Sequence, residues 1–436
     1  MRPASSIAPA SPLARIVVDL TPLRPGGENG GAKPFTLELL RALAALLPET
    51  QFVLLTGAAG HDELASLESA NVNRLCIARG GNSPASSLAG RLVARGHRWE
   101  ARLSSWVPSD LRRRLRLPYE AALLALNRKS LLRTLRANLL FCPFTAPTYH
   151  HPAVPTVCLV HDLQFLTYPQ FFSEHDRLIR HRHFRQACSV ARLLICPSHY
   201  VGARIESAAG PPPPETLVIR HAAHQRLPVV TASARLALLH RLGLQSAPFL
   251  LYPANFWLHK NHELLLTAFA LFRRRNPTVP ALLVLTGSPG DRDGILRSLV
   301  QALGLHGSVL FAGFLPDEDL AALFDACLAL VFPSLYEGFG MPIMEAMHRG
   351  RPVLSSDRTA LREVGGDAPL YFDPRSPLSL AGALESLWSQ PGLAGALARQ
   401  SLAHAAAAPT LDQMAARYAA AFTHAAANLT PSGDPS

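Results

Sequence analysis

Two carboxylates, Glu337 and Glu345, stand eight positions apart in a segment with a regular order of strand and helix signals. The apolar run 328–332 precedes them and is typical of a buried strand. Pro342 stands where a helix would place its first residues, and Gly350 where that helix would end. We therefore expect Glu337 in the turn after a strand and Glu345 on the first turns of a helix.

A ligand in that turn would meet free backbone N–H groups, the positive end of a helix dipole and two hydrogen-bond acceptors. The amides and the dipole suit a diphosphate, and the carboxylates suit ribose or sugar hydroxyls. The pattern therefore predicts a nucleotide-sugar site. The alternative is that the two glutamates only complement the helix dipole on a solvated surface. The residues of the predicted site between the two carboxylates are Gly338, Phe339, Gly340, Met341, Pro342 and Ile343.

A lysine follows the apolar strand 249–252, in the run from Asn255 to His262. At the mouth of a parallel sheet and just before a helix, Lys260 is placed to neutralise a departing diphosphate. The alternative is an exposed loop lysine, as most lysines are. The two histidines of this run lack a third ligand of a zinc site, so we predict no metal here.

His161 and Asp162 end the apolar run 156–160, at a position where α/β proteins place ligand contacts. These residues alone leave open whether His161 touches a ligand or is structural. Asp162 could orient the imidazole or cap the next helix. Ser198 ends the following strand in the same way, and is a further candidate on this side.

The chain is too long for one ordinary core, and its apolar runs follow an α/β order. The strand 15–20, a loop containing Gly30 and Gly31, and a helix form the usual opening of a doubly wound unit. A second α/β series begins near 249. We predict two Rossmann-like domains facing a cleft, with the linker around 224–246. The predicted bounds are 13–228 and 246–408.

The run from Phe332 to Asp357 closely resembles the E-x7-E signature of the retaining glycosyltransferases of family 4, which have the GT-B fold. The Lys260 loop resembles that of a mannosyltransferase-like subtype, and the likeness spans roughly 15–425. It implies transfer of a hexosyl group from a nucleoside diphosphate sugar, with GDP-mannose as first guess. The implied acceptor is a glycan or lipid-linked glycan in cell-surface polysaccharide or lipopolysaccharide synthesis, and the terminal helix 411–428 would cross back onto the first domain.

The same resemblance implies roles for the candidate residues. Glu337 would hold the hexose hydroxyls, Glu345 the ribose hydroxyls, and Lys260 the diphosphate, while His161 would reach the donor sugar near its transferred carbon. The family often has an arginine at the position of Asn255. No nucleophilic carboxylate, metal or cofactor is then needed.

On the side of the first domain, the resemblance places Gly30 and Gly31 against the diphosphate. It makes Ser198 and Asp162 weaker, acceptor-side candidates. Two other functions remain open on the same scaffold. A sugar-nucleotide epimerase would release an altered donor without an acceptor, and a non-catalytic module would bind the donor without turnover.

Composition describes a globular protein with a basic excess: 48% of residues are hydrophobic, 17% are charged, and the formal net charge is +11. Six scattered cysteines without a C-x-x-C favour a reducing compartment. No run is long enough to span a bilayer. We expect a cytoplasmic protein, with possible peripheral contact at the inner face of the cytoplasmic membrane.

Arginines are concentrated in the segment 95–136, among leucines and two tryptophans. Such a basic amphipathic stretch could attract an anionic membrane or nucleic acid, or form an Arg-rich solvated helical face. No nucleic-acid module accompanies it, so we predict no nucleic-acid partner and favour the membrane surface.

Overall fold

The computed structural model describes residues 13–25, 29–77, 131–222 and 226–427. Most of the basic segment 95–136 and the tail 429–436 lie outside these ranges. None of the described helices is long and apolar enough to cross a bilayer. Within the described chain, the strands form two parallel sheets.

The first sheet has seven strands in the order β3-β2-β1-β4-β5-β6-β7. Its neighbouring strands pair in parallel, as in a doubly wound unit. The strands are β1 (Arg15–Leu20), β2 (Gln51–Gly57), β3 (Val72–Ile77), β4 (Leu139–Cys142), β5 (Thr156–Leu159), β6 (Leu193–Cys196) and β7 (Thr216–Val218).

Helices cover both faces of this sheet. Ile16 and Val18 of β1 face one core, and Val17 between them faces the other, because side chains alternate along a strand. With both faces buried, strands of this sheet read as continuous apolar runs rather than alternating ones. The helices between these strands are α1 (Ala32–Leu46), α2 (Gln164–Thr167), α3 (Glu174–Val190) and α4 (His199–Ala209).

The second sheet has six strands in the order β10-β9-β8-β11-β12-β13, again with parallel neighbours. The strands are β8 (Phe249–Pro253), β9 (Leu282–Thr286), β10 (Val309–Gly313), β11 (Ala329–Phe332), β12 (Val353–Ser356) and β13 (Leu370–Phe372). The helices before, between and after them are α5 (Ala232–Arg241), α6 (His262–Arg275), α7 (Asp293–Ala302), α8 (Asp317–Ala326), α9 (Met341–His348), α10 (Leu361–Gly365), α11 (Pro377–Ser389) and α12 (Leu393–Ala406).

The last described helix, α13 (Leu411–Ala427), returns to the first sheet. Its Tyr418 and Phe422 are fully buried, and their ring centroids lie 6.0 and 5.0 Å from that of Phe141 on β4. Burial of two aromatic rings anchors the end of the chain on the first sheet. We call the first sheet with its helices the first unit, and the second sheet with its helices the second unit.

The second core begins earlier than the predicted bound at 246. Leu227, Leu238 and Leu244 are buried in it, and α5 lies inside the segment expected to be a linker. Thr231 caps α5 by accepting a hydrogen bond from Ala234 N, which is a standard helix start. The mixture of Pro, Ala and Arg in this segment predicted a linker, whereas the structure has the short helix α5 there.

Candidate active site

The turn and helix start that carry the two glutamates, residues 337–345, are called here the glutamate turn. They form as the sequence predicts, because Gly340 has a φ of 99° and so permits the chain to enter α9. A Cβ at this position would lie 2.6 Å from Leu361 Cδ2, so no larger residue fits. Pro342 lies in the first turn, where its missing N–H costs nothing. Ile343 N donates to Gly340 O at 3.0 Å, so the first turn uses this predicted diphosphate-binding amide.

Lys260 and Glu337 form an ion pair at the carboxyl ends of the neighbouring strands β8 and β11. Lys260 Nζ lies 2.6 Å from Glu337 Oε1, and the side chains are only 12% and 13% exposed. Two further bonds join the loops: Tyr252 Oη donates to Lys260 O at 2.6 Å, and Leu335 N donates to His259 O at 2.8 Å. The pair is therefore a fixed feature of this sheet edge.

Asn255 connects two loops at the same edge. Its Oδ1 accepts a hydrogen bond from Ser288 N at 2.8 Å. A Cβ on Gly287, whose φ is 132°, would overlap the backbone of Ala254, so the two loops touch. The structure gives Asn255 a structural bond where the resembling family has a cation.

Residues from the first unit press directly on the glutamate turn. A Cβ on Gly338 would overlap His161 O and lie 3.2 Å from Asp162 Cβ. Ser198 Oγ donates to Gly338 O at 2.8 Å while also accepting from Val201 N to cap α4. Gly338 is thus the point at which three predicted residues of the first unit meet the second.

A second set of hydrogen bonds crosses the contact between the two units, which we call the seam. The carboxylate of Glu363 on α10 accepts from His199 N and Tyr200 N, at 2.9 and 3.0 Å, at the start of α4. Arg220 donates to Glu363 O at 2.7 Å. A carboxylate at a helix N-terminus is stabilised by the helix dipole, so this contact favours closure of the two units.

The His161 imidazole is partly buried and is held by a hydrogen bond within the first unit. Burial lowers its pKa, while Asp162 and the bond to Pro143 O act in the opposite direction. Because Pro143 O can only accept, Nε2 carries the proton in this 2.9 Å bond. Asp162 Oδ1 accepts from Gln164 N at 2.9 Å, so it caps the next turn, one of its two predicted roles.

Gly30 and Gly31 lie at the start of α1, opposite a ring of the second unit. Gly30 has a φ of 54°, and a Cβ there would lie 2.8 Å from a ring carbon of Trp257. Gly31 is the residue before α1 and faces open space. The structure thus brings the glycine loop to the cleft beside the loop that carries Lys260.

His221, just after β7, belongs to the seam but was missed from the sequence. Its ring stacks on Phe35 at 3.7 Å and lies 4.8 Å from the Phe339 ring. Neither ring nitrogen has a hydrogen-bond partner among the described residues. Burial, aided by the nearby His161, holds the pKa of His221 well below its usual range.

Arg226 was also missed, and it joins the predicted ribose carboxylate to a second acid. Its Nε pairs with Glu345 Oε1, and its Nη1 lies 2.9 Å from Asp317 Oδ1 on α8. Glu38 of α1 faces this cluster. Burial raises the pKa of Glu38 to about 7, Arg226 opposes that rise, and Glu345 and Asp317 add to it. Charges of both units therefore meet beside Glu345.

Residues 241–404 match the family of glycosyl transferases group 1. The matched residues run from the end of α5 to near the end of α12 and so span the whole second sheet. The family prediction is thereby confirmed for the part of the chain that carries Lys260, Glu337 and Glu345.

Curated relatives align with part of this chain. It is 31% identical to O-antigen chain mannosyltransferase B of Escherichia coli over 228 residues, which are 51% of this chain and 58% of the relative. It is 37% identical over 163 residues to the serotype-specific mannosyltransferase WbdA of E. coli, covering 36% of this chain and 20% of that one. The chain thus spans little more than half of the first relative and a fifth of the second.

Solved structures match nearly the whole chain. Sucrose-phosphate synthase from Thermosynechococcus elongatus superposes with a TM-score of 0.71 at 20% identity, over 94% of this chain and 98% of that one. Alr3699/HepE of Anabaena, solved with UDP and glucose, gives 0.69 at 19% identity, over 94% and 100%. The fold is GT-B, which confirms the predicted class.

Proposed function

We propose that this protein is a retaining glycosyltransferase that moves a mannosyl group from GDP-mannose to a hydroxyl of a glycan or lipid-linked glycan. The observation that carries the proposal is the Lys260–Glu337 pair at the edge of the second sheet, with 2.6 Å between the charged atoms, and with the His161 backbone of the first unit against the adjacent Gly338. The group 1 family match and the mannosyltransferase relatives support the same reading.

The second unit would hold the donor. Lys260 and the start of α9 meet the diphosphate, because an ammonium and a helix N-terminus both favour negative charge. Glu337 accepts hydrogen bonds from hexose hydroxyls, and Glu345 accepts them from the ribose. Lys260 then exchanges part of its bond with Glu337 for the diphosphate, and it stabilises the charge that develops on departure.

Transfer would proceed on one face of the sugar. The bond between the anomeric carbon and the diphosphate oxygen breaks, the acceptor oxygen bonds to that carbon, and the acceptor proton passes to the departing phosphate. His161, neutral and fixed by Pro143 O, lines the sugar near the reacting carbon. Ser198 and Asp162 hold the wall of the first unit against Gly338, and they act through position.

We propose that no metal or cofactor takes part, since Lys260 and backbone amides supply the positive charge that the leaving group needs. Activity in the presence of EDTA tests this. A lipid-linked acceptor would lie at the inner face of the cytoplasmic membrane. The protein would contact that face through the basic segment 95–136. Binding to vesicles with and without anionic lipid tests that part separately.

The purified protein should be offered GDP-, UDP-, ADP- and dTDP-sugars in a thermal-shift panel, because a ligand that binds the folded state raises its melting temperature. We expect GDP-mannose to stabilise it most, and the same donor to yield a glycosylated acceptor. An altered nucleotide sugar without acceptor would identify an epimerase instead. Donor binding with neither transfer nor hydrolysis would identify a non-catalytic module.

A further inference from the structure

The carboxylate of Glu345 is too deeply buried to stand without a cation. Its side chain is 3% exposed, and it is held by the guanidinium of Arg226, itself 10% exposed. A carboxylate removed from water is costly unless it is paired and hydrogen-bonded. The ion pair therefore fixes the orientation of the Glu345 carboxylate.

The pairing leaves part of the carboxylate available. Arg226 Nε engages Oε1 of Glu345, and a carboxylate offers about four lone-pair sites on its two oxygens. Glu345 can thus accept from Arg226 and from a ligand hydroxyl together. Arg226 Nη1 donates a second hydrogen bond, to Asp317. The two bonds together fix the plane of the guanidinium between α9 and α8.

We propose that Arg226 is a positioning residue that sets Glu345 to receive the ribose hydroxyls of the donor nucleotide. The inference rests on the proposed function, in which Glu345 is the ribose ligand. Arg226 lies more than 100 positions before the glutamate turn in the sequence and reaches Glu345 only through the fold. Its planar fork bonds two acids at fixed angles, which a lysine cannot reproduce.

The other charged groups around the pair bear on this role. Asp317 shares the guanidinium, and Glu38 faces the cluster from α1 with Arg41 near it. Arg226 thus lies among three acids from three helices, and it is bonded to two of them, Glu345 and Asp317. Without Arg226, the Glu345 carboxylate would lose the bond that orients it while still lying near the acids Asp317 and Glu38.

The test compares a nucleoside diphosphate with its 2′,3′-dideoxy form, using whichever of GDP, UDP and ADP stabilises the wild type most. Calorimetry on wild type and Arg226→Ala should show a loss of roughly tenfold or more for the ribonucleotide, the size of one bond to a charged group. The dideoxy form should lose about twofold or less, because it has no hydroxyl to place. Arg226→Lys should recover part of the ribonucleotide affinity, and donor KM should rise while kcat stays within about twofold.

Arg241→Ala is the matched control, since Arg241 pairs with Asp319 of the same helix α8 at the surface. It should leave both affinities unchanged. Equal losses for the two nucleotides in Arg226→Ala would overturn the inference, as would unchanged or tighter binding. If Arg226→Ala does not fold, the affinities of Arg226→Lys for the two nucleotides decide in the same way.

Glu345→Ala separates this inference from the proposed function. If that variant still distinguishes ribo- from dideoxynucleotide, Glu345 does not bind the ribose and the proposed donor geometry fails. If Glu345→Ala abolishes the distinction and Arg226→Ala does not, only the role of Arg226 fails.

Discussion

The second unit carries most of its candidate ligand-binding groups on one turn and one helix, whereas the first unit contributes single candidate residues from the ends of separate strands. Glu337, Gly340 and Glu345 lie within nine consecutive positions, and one nearby loop adds Lys260. By contrast, the glycine loop, His161, Ser198 and His221 follow β1, β5, β6 and β7. The proposed donor contacts of the second unit are therefore local in sequence, while the proposed contacts from the first unit depend on how closely the two units meet.

This difference implies that the two parts can be broken separately. A change in the second unit should remove donor binding or charge stabilisation and leave the contact between units intact. A change at the seam should leave the individual cores intact and impair closure.

Replacing the lysine should have the largest effect. Lys260→Ala removes the side-chain cation paired with Glu337, and we expect a loss of about 2–4 kcal/mol in transition-state stabilisation, the size of an oxyanion contact. The ratio kcat/KM for donor measures it. Arg275→Ala, which breaks the exposed pair with Glu385 at the far end of α6, is the control. Activity of Lys260→Ala within about threefold of wild type would exclude this role.

Adding one methyl group at the seam should come next. In Gly338→Ala the new Cβ overlaps His161 O, and forced overpacking costs about 1–3 kcal/mol. We expect activity to fall roughly tenfold or more. Gly382→Ala in α11 meets open space, so it should retain activity and gain some stability from helix propensity. Full activity of Gly338→Ala would show that closure at this point is not needed.

Removing the second glutamate should act mainly on binding. Glu345→Ala deletes a contact made equally in ground and transition states, so donor KM should rise, by roughly tenfold, with kcat little changed. Initial rates at varied donor concentration separate the two parameters. A fall in kcat with constant KM would place Glu345 in the chemistry instead.

The smallest expected effect concerns pH. An unfolded histidine titrates near about 6.5, whereas His221 has a pKa well below that in the fold. Below about pH 6.5 the unfolded chain therefore binds more protons, and His221 lowers stability as pH falls. His221→Phe keeps the stacking on Phe35 and removes this titration.

We expect the melting temperature of His221→Phe to fall less than that of wild type between pH 7.5 and 5.5. Free energies of unfolding should differ in slope by at most about 1.4 kcal/mol per pH unit. His161 and Glu38 titrate in both proteins, so the comparison cancels most of their contribution. Equal slopes would show that His221 is accessible to protons in the folded state.

Sequence reasoning recovered the elements whose signals are local. Strands such as β8 and β11 are buried on both faces and read as apolar runs, and Gly340 and Pro342 mark the start of α9 through backbone rules alone. It did not recover β3 or β13, which lie at sheet edges where burial is partial.

The missed site residues follow from the same cause. His221 lies in the loop after β7, where no motif marks it, and Arg226 becomes a candidate only when α8 and α9 bring two acids to it. No spacing in the sequence encodes such a contact. The loop bond of Asn255 to Ser288 is likewise visible only in three dimensions.

The central claim is transfer with retention at the Lys260–Glu337 edge. The most direct measurement is proton NMR of the linkage formed from GDP-α-mannose and a synthetic mannoside acceptor, run in parallel for wild type and Lys260→Ala. The account predicts an α-linked product from wild type and a strongly reduced rate of the same product from the variant. A β-linked product, or wild-type and variant enzymes of equal rate, would contradict it.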